Sequence, residues 1–352
     1  MAYGNGRYVL VGQQAADDNG FVQTSEDGIN WTMRTTLNYA VLDLYDVTFG
    51  NGVFVAAGWG YFGGPQIYHS TNGINWTPHS MGAGNLHGVI SGGDRFVAVG
   101  DPFDTNNHNI FVSLNGNTWS PRSSGFSDAI YDVAYGAGRF VAVDGASHIY
   151  NSPTGTTWTR TTGSNSGRFV SFCFDRFIVP AGTGINLVSV DGLAWWPVSN
   201  NSGATFTRII YAGGYYVALS LYSDVFTSTD GINWVHRNLP PTQGVFRNLT
   251  AINFVAGKVI VGGYTYTGDS RPRLPLLYIS DSFASVKINL GNPPNLTVSG
   301  LTNRSYRIEY LTDLQSNDWQ PLSTFILTDS PFTWLDSSAT NSSRYYRAVL
   351  LP

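Results

Sequence analysis

The chain has 352 residues, 42% of them hydrophobic and only 12% charged, with a formal net charge of −4. That length and apolar share suit a folded core in one large domain, or one large and one small, and exclude a disordered chain. No basic footprint points to a nucleic-acid partner, no run of about 18 apolar residues marks a membrane span, and the lone Cys173 rules out an internal disulfide or a Cys-rich zinc site.

The 40 glycines, with 20 Tyr, 20 Phe and 10 Trp, point to many tight turns joining strands rich in aromatics. In chain order, two phrases alternate. The first reads "YDVTFGNGVFVAAG" (Tyr45–Gly58), "HGVISGGDRFVAVG" (His87–Gly100), "YDVAYGAGRFVAVDG" (Tyr131–Gly145), "FVSFCFDRFIVPAG" (Phe169–Gly182), "RIIYAGGYYVALS" (Arg208–Ser220) and "AINFVAGKVIVGG" (Ala251–Gly263). The opening "AYGNGRYVLVG" is a copy without its head, so the inner strand there is expected to be short and a leader trimmed. Cys173 falls inside one of these apolar runs and is expected to be buried.

The second phrase reads "SEDGINW" (Ser25–Trp31), "STNGINW" (Ser70–Trp76), "SLNGNTW" (Ser113–Trp119), "SPTGTTW" (Ser152–Trp158), "SVDGLAW" (Ser189–Trp195) and "STDGINW" (Ser228–Trp234), with a decayed "SDSFASV" (Ser280–Val286). The serines are spaced 45, 43, 39, 37, 39 and 52 residues apart. Each unit parses into four short strands: two around a Gly turn, a third ending at the Ser, and a fourth beginning at the Trp. No helical period occurs. Four strands in about 40 residues, seven times over, predict an all-β, seven-bladed β-propeller over residues 1–289. A β-solenoid fits less well, because its repeats are shorter and lack two hairpin turns per unit.

Within the second phrase, the acceptor slot reads Asp27, Asn72, Asn115, Thr154, Asp191 and Asp230. Asn and Thr accept hydrogen bonds but are poor general acids, so the slot is expected to clip a turn rather than to catalyse. The Gly permits positive φ, and the Trp is expected to wedge between blades. This motif, placed between third and fourth strands, resembles the Asp-box (BNR-type) propellers of the sialidase-like superfamily, in a form one residue shorter before the aromatic. The resemblance implies architecture over residues 1–288. Propellers of this kind include sialidases, other glycoside hydrolases, sorting receptors and photosystem assembly factors.

After about Leu290 the pattern changes. "GNPPN" (Gly291–Asn295) reads as a linker, and five alternating strands follow within residues 290–352. This segment resembles a small fibronectin type III-like β-sandwich, as found at the ends of secreted bacterial multidomain proteins.

Function is expected where the repeats differ. Aligning the hairpins puts Asp46, Gly88, Asp132, Phe169, Arg208 and Ala251 in one slot at the start of the innermost strands. The slot before it holds Tyr45, His87, Tyr131, Arg168, Thr207 and Thr250. Tyr45, Asp46, His87, Tyr131, Asp132, Arg168 and Arg208 are therefore the candidates for chemistry at one mouth of the channel. The alternative is a solvated lining of Asp–Arg bridges. In the variable loops between second and third strands, Trp59, Tyr61, Phe103, Tyr222, Tyr264 and Tyr266 are candidates to stack on sugar rings. A sialidase is disfavoured, since the chain has two glutamates, Glu26 and Glu309, neither of which suits a Tyr–Glu pair in the propeller. A polysaccharide lyase needs only His or Tyr with Arg, and stays open beside a glycoside hydrolase built on Asp. Asp101, Asp104 and Asn106 offer oxygen ligands for calcium without the spacing of a calcium loop. No other cofactor or metal is expected, because the six histidines form no HExxH-type pair. The sequence thus predicts a secreted or cell-surface binding or scaffold module for a glycan or surface protein, with a lyase or hydrolase and a self-associating surface protein as alternatives.

Overall fold

The computed structural model describes residues 1–13, 20–28, 30–36, 41–60, 66–82, 84–125, 127–144, 146, 148–161, 167–239, 246–255, 258–267, 270–279, 285–289, 295–299, 304–312, 319–328, 332–338 and 344–350. All the described regular structure is β. Six antiparallel four-stranded sheets follow one another, spanning residues 2–36, 41–79, 86–123, 130–160, 171–199 and 206–237. In each, the strands pair in sequence order, and these are blades 1 to 6 of a β-propeller. Contacts divide the chain into two compact units, one of Met1–Ile210, Tyr216–Asn253 and Val261–Leu277, the other of Tyr211–Tyr215, Phe254–Ile260 and Tyr278–Pro352.

The blades are buried on both faces, and this explains their sequence pattern. In the second strand of blade 3, Arg95–Gly100, every residue after the arginine is buried. Phe96 and Ala98 pack toward blade 2 with Val55, Ala57 and Leu86, while Val97 and Val99 pack toward blade 4 with Phe140 and Ala142. A strand covered on both sides reads as a continuous apolar run instead of an alternation. The core of the propeller therefore lies between blades, and each fully buried Val contributes about 1.5–3 kcal/mol.

Close approach between blades sets the glycines. A Cβ on Gly4, Gly92 or Gly136 would fall inside the ring of Phe49, Tyr135 or Phe172 of the following blade. Polar ties run the same way. The Asn5 side-chain amide donates to the Gly52 and Thr71 carbonyls of blade 2 at 3.3 and 3.0 Å, and Asn51 repeats this with Asp94 and Leu114 of blade 3.

One expectation is corrected. Seven four-stranded blades were expected, and six form among the described residues. The seventh repeat gives a three-stranded sheet of Phe246–Val255, Lys258–Thr267 and Ser270–Ile279. Its decayed turn phrase has neither the Gly nor the Trp, and the next strand, Ser285–Asn289, pairs with Asn295–Ser299 instead. The first copy was expected to begin with a short inner strand, and Ala2–Gly4, three residues long, pairs with Arg7–Val9 as the inner strand of blade 1.

All five strands expected in the C-terminal segment form, as Asn295–Ser299, Arg304–Leu311, Gln320–Leu327, Phe332–Leu335 and Tyr345–Leu350. With Ser285–Asn289 they make two three-stranded sheets. Leu296, Val298, Tyr306, Ile308 and Leu327 form one buried cluster there.

Candidate functional site

The turn phrases come first, because they carried the most chemistry-like residues. In the last of them, the Ser228 hydroxyl donates to Asp230 at 2.8 Å and accepts the Gly231 N–H at 2.9 Å. Asp230 in turn accepts the N–H groups of Ile232 and Asn233, both at 2.8 Å, and Trp234 Nε1 donates to the Gly231 carbonyl at 3.0 Å. Burial raises the Asp230 carboxyl, but the Asn233 and Ile232 donors outweigh it and hold the group well below the usual carboxylate range. Asp27, Asn72, Asn115 and Asp191 make the same local bonds, and Thr154 makes a weaker version through its hydroxyl. All six slots close turns, and a carboxyl held ionised this way is no general acid.

The inner slot is also structural. Asp46 accepts the N–H of Val47 in its own strand at 2.8 Å and that of Val89 in blade 3 at 3.0 Å. Asp132 does the same with Val133 and with Val170 of blade 5, both at 3.0 Å. Arg208 reaches across to Asp132 at 2.7 Å, with its guanidinium 4.2 Å from the Phe169 ring centre. Burial pushes the Asp132 carboxyl up to about 6, against the pull of Arg208 and with the help of the Asp46 carboxylate. Asp46, Asp132 and Arg208 are therefore brought together, but as ties between blades.

The slot before it makes a different structure. Tyr45, His87, Tyr131 and Arg168, from successive blade entries, form one ladder. The His87 and Tyr131 rings stack at 4.8 Å and 21°, Tyr45 lies 5.9 Å from His87, and the Arg168 guanidinium sits 4.6 Å over Tyr131. Carboxylates orient its polar atoms. His87 Nε2 bonds Asp101 at 2.9 Å, and the Tyr45 hydroxyl donates to Asp43 at 3.2 Å. Since a carboxylate only accepts, the proton of this bond sits on His87 Nε2. Burial and then Asp43 push the Tyr45 phenol far above its usual value, so it stays a donor. Burial raises Asp101, but the His87 and Asn85 bonds prevail and lower it. Tyr45 is 44% exposed, and Arg168 is exposed as well.

The loop aromatics disperse. Phe103 packs edge-on to Phe111 at 4.8 Å within the blade 3 core. Trp59 is half-buried and bridges to Asn85. The Tyr264 hydroxyl accepts from Asn248 at 2.8 Å, whereas Tyr222 is 82% exposed. Tyr61 and the side chain of Tyr266 lie outside the described residues.

Asp101 and Asp104, the calcium candidates, go to different partners. Asp104 accepts the N–H groups of Asn106 and His108 and holds His108 Nδ1 at 2.6 Å. Asp144 clips His148 in the same way in blade 4. This second clip went unread in the sequence, although "DTNNH" and "DGASH" share its spacing at the same place in two repeats. Among the described residues, Asp128, Asp144 and His148 bring one ligand atom each within 4.8 Å of one another. Asp144 already accepts four hydrogen bonds there, from Ala146, His148 and Tyr150. Sequence reasoning also missed Asp43 and the orienting role of Asp101, which flank the ladder from outside the repeated phrases.

No family model and no curated protein matches the chain. Among solved structures it is similar to Ycf48 bound to a D1 peptide, with a TM-score of 0.57 and 18% identity over 77% of this chain and 92% of that one. It is similar also to Ycf48 from Cyanidioschyzon merolae, with a TM-score of 0.52 and 18% identity over 72% of this chain and 92% of that one. The Asp-box and fibronectin type III-like resemblances find no support in these matches. What the likeness and the six four-stranded sheets establish together is the fold: the chain is an all-β propeller.

Proposed function

We propose that the protein is a binding module that takes a glycan segment across the rim built by Tyr45, His87, Tyr131 and Arg168. The observation that carries this reading is the ladder itself. Three rings and a guanidinium from four different blades are held in register, with their polar atoms oriented by Asp43 and Asp101. Phenol, imidazole and guanidinium groups along one rigid rim suit a hydroxyl-rich ligand, and a rigid scaffold keeps the ordering cost of binding low. A glycan ligand also suits a place outside the cell or at its surface, which fractionation would check.

A second reading is an extended peptide ligand, favoured by the likeness to Ycf48, whose solved structure holds a D1 peptide. The oriented His87–Asp101 pair keeps a polysaccharide lyase as the enzymatic variant. Calorimetry against neutral and acidic oligosaccharides tests the main reading. Binding that Tyr45→Ala and His87→Ala each weaken by tenfold or more supports it. Absence of any glycan binding, with a peptide taken at the same rim, overturns it. Release of an unsaturated uronate, seen by its ultraviolet absorbance, turns the module into a lyase.

A further inference from the structure

We infer that Arg168 reads a carboxylate, so that the ligand of the rim is a uronate-bearing glycan; this rests on the glycan reading above. The argument is one of charge accounting. Arg7, Arg95, Arg176 and Arg208 each pair with a carboxylate, of Glu26, Asp94, Asp175 and Asp132. Arg34, Arg122, Arg139 and Arg237 donate instead to a hydroxyl, carbonyl or amide oxygen. Arg168 does neither: among the described residues its interaction is with the face of Tyr131. Stacking occupies the flat face of a guanidinium and fixes its plane, while the N–H edge stays available as a planar fork. That fork matches the two oxygens of a carboxylate.

The ladder also sets how such a ligand lies. Tyr131 is covered by His87 from blade 3 and by Arg168 from blade 5, so it offers no face to a sugar. Tyr45 ends the ladder and is 44% exposed, so it is the stacking platform. Between them His87 Nδ1, which makes no hydrogen bond among the described residues, bonds a hydroxyl. The rim therefore reads a sugar ring at Tyr45, a hydroxyl at His87 and an acid group at Arg168. One guanidinium, in a protein of net charge −4, favours a singly charged group over a dianion.

The test is calorimetry with an oligogalacturonate, its carboxyl-reduced counterpart of equal length, and a sulfated neutral oligosaccharide. The expected result is at least tenfold tighter binding of the oligogalacturonate than of the other two, with a preference that shrinks as salt rises. Arg168→Ala and Arg168→Gln should abolish that preference, and Arg168→Lys should keep only part of it. Equal binding of acidic and reduced oligomers, a preference that survives Arg168→Ala, or equal binding of the sulfated sugar each overturns the inference while the rim reading stands. Loss of all glycan binding overturns the rim reading itself.

Discussion

Gly155 carries two constraints at once, and they can be separated by substitution. It adopts a φ of +72°, and a Cβ there would lie 2.7 Å from Val97 Cγ2 in the preceding blade. Gly138, at a hairpin tip, has a φ of +70° with no atom within 4 Å of its would-be Cβ. Both alanine variants incur the left-handed backbone penalty, about 1–2 kcal/mol. Only Gly155→Ala adds overpacking, about 1–3 kcal/mol, since ordinary carbon contacts sit near 3.5–4.0 Å. Gly138→Ala should therefore cost about 1–2 kcal/mol and Gly155→Ala about 2–5 kcal/mol. Urea unfolding with linear extrapolation measures both. Val97→Ala removes the obstructing methyl, so the double variant should lose less than the sum of the singles by about 1–3 kcal/mol. If Gly155→Ala costs no more than Gly138→Ala, or shows no coupling to Val97→Ala, the turn phrase is a local clip and does not join blades.

Other outcomes follow from the polar ties. Asp230→Asn should cost at most about 0.5 kcal/mol and Asp230→Ala about 1 kcal/mol, because Asn72 and Asn115 already do this work in sister turns; thermal unfolding checks it. The Asp230 carboxyl titrates below its unfolded value, so its stabilisation is full at neutral pH and fades as pH falls through the acid range; Asp230→Asn should remove that portion of the acid limb. Asp132 has the opposite sign. Its folded value of about 6 lies above the ordinary 3.8, so its contribution is full below pH 3.8 and is lost as pH rises through about 6. Asp132→Asn should flatten that decline in a stability–pH profile. Trp158 Nε1 donates to the Gly155 carbonyl at 2.9 Å, whereas Trp195 Nε1 is buried without a partner. Trp158→Phe should therefore cost about 1 kcal/mol more than Trp195→Phe by chemical denaturation.

Blade architecture was legible because construction repeats. Ser228, Asp230, Gly231 and Trp234 have counterparts in five other turns, and all but the weaker Thr154 and the unbonded Trp195 indole make the same bonds, so the comparison itself separated clip from catalyst. The wedge reading of the Trp also holds, since Trp76, Trp119 and Trp158 pack into the clusters shared with the preceding blade. Blade number was misjudged at the C-terminal end of the array, where repetition fades. A turn without its Gly and Trp, Ser280–Val286, was still counted as a blade. The rim was half legible. Aligning the hairpins put Tyr45, His87, Tyr131 and Arg168 in one slot, which is how they meet. Their orienting carboxylates were not visible, because Asp43 and Asp101 sit outside any repeated phrase and reach the ladder only through the fold. The polar column of Asp46, Asp132 and Arg208 looked as functional as the rim, and only hydrogen-bond geometry showed the two carboxylates committed to backbone N–H groups and Arg208 to Asp132.

The forward direction of the Asn5 and Asn51 ties bears on how a blade could be moved between proteins. In blades 1 and 2 the hairpin tip supplies the amide that caps the next blade, so there the sheet is not the transferable unit. A segment cut at sheet boundaries would arrive with its own carbonyls uncapped and its amide reaching for a neighbour that lacks the matching turn. A graft that runs instead from the tip of one blade through the turn phrase of the next carries donor and acceptors together. Shuffling of such propellers, in the laboratory or in evolution, should therefore succeed at junctions that straddle two blades.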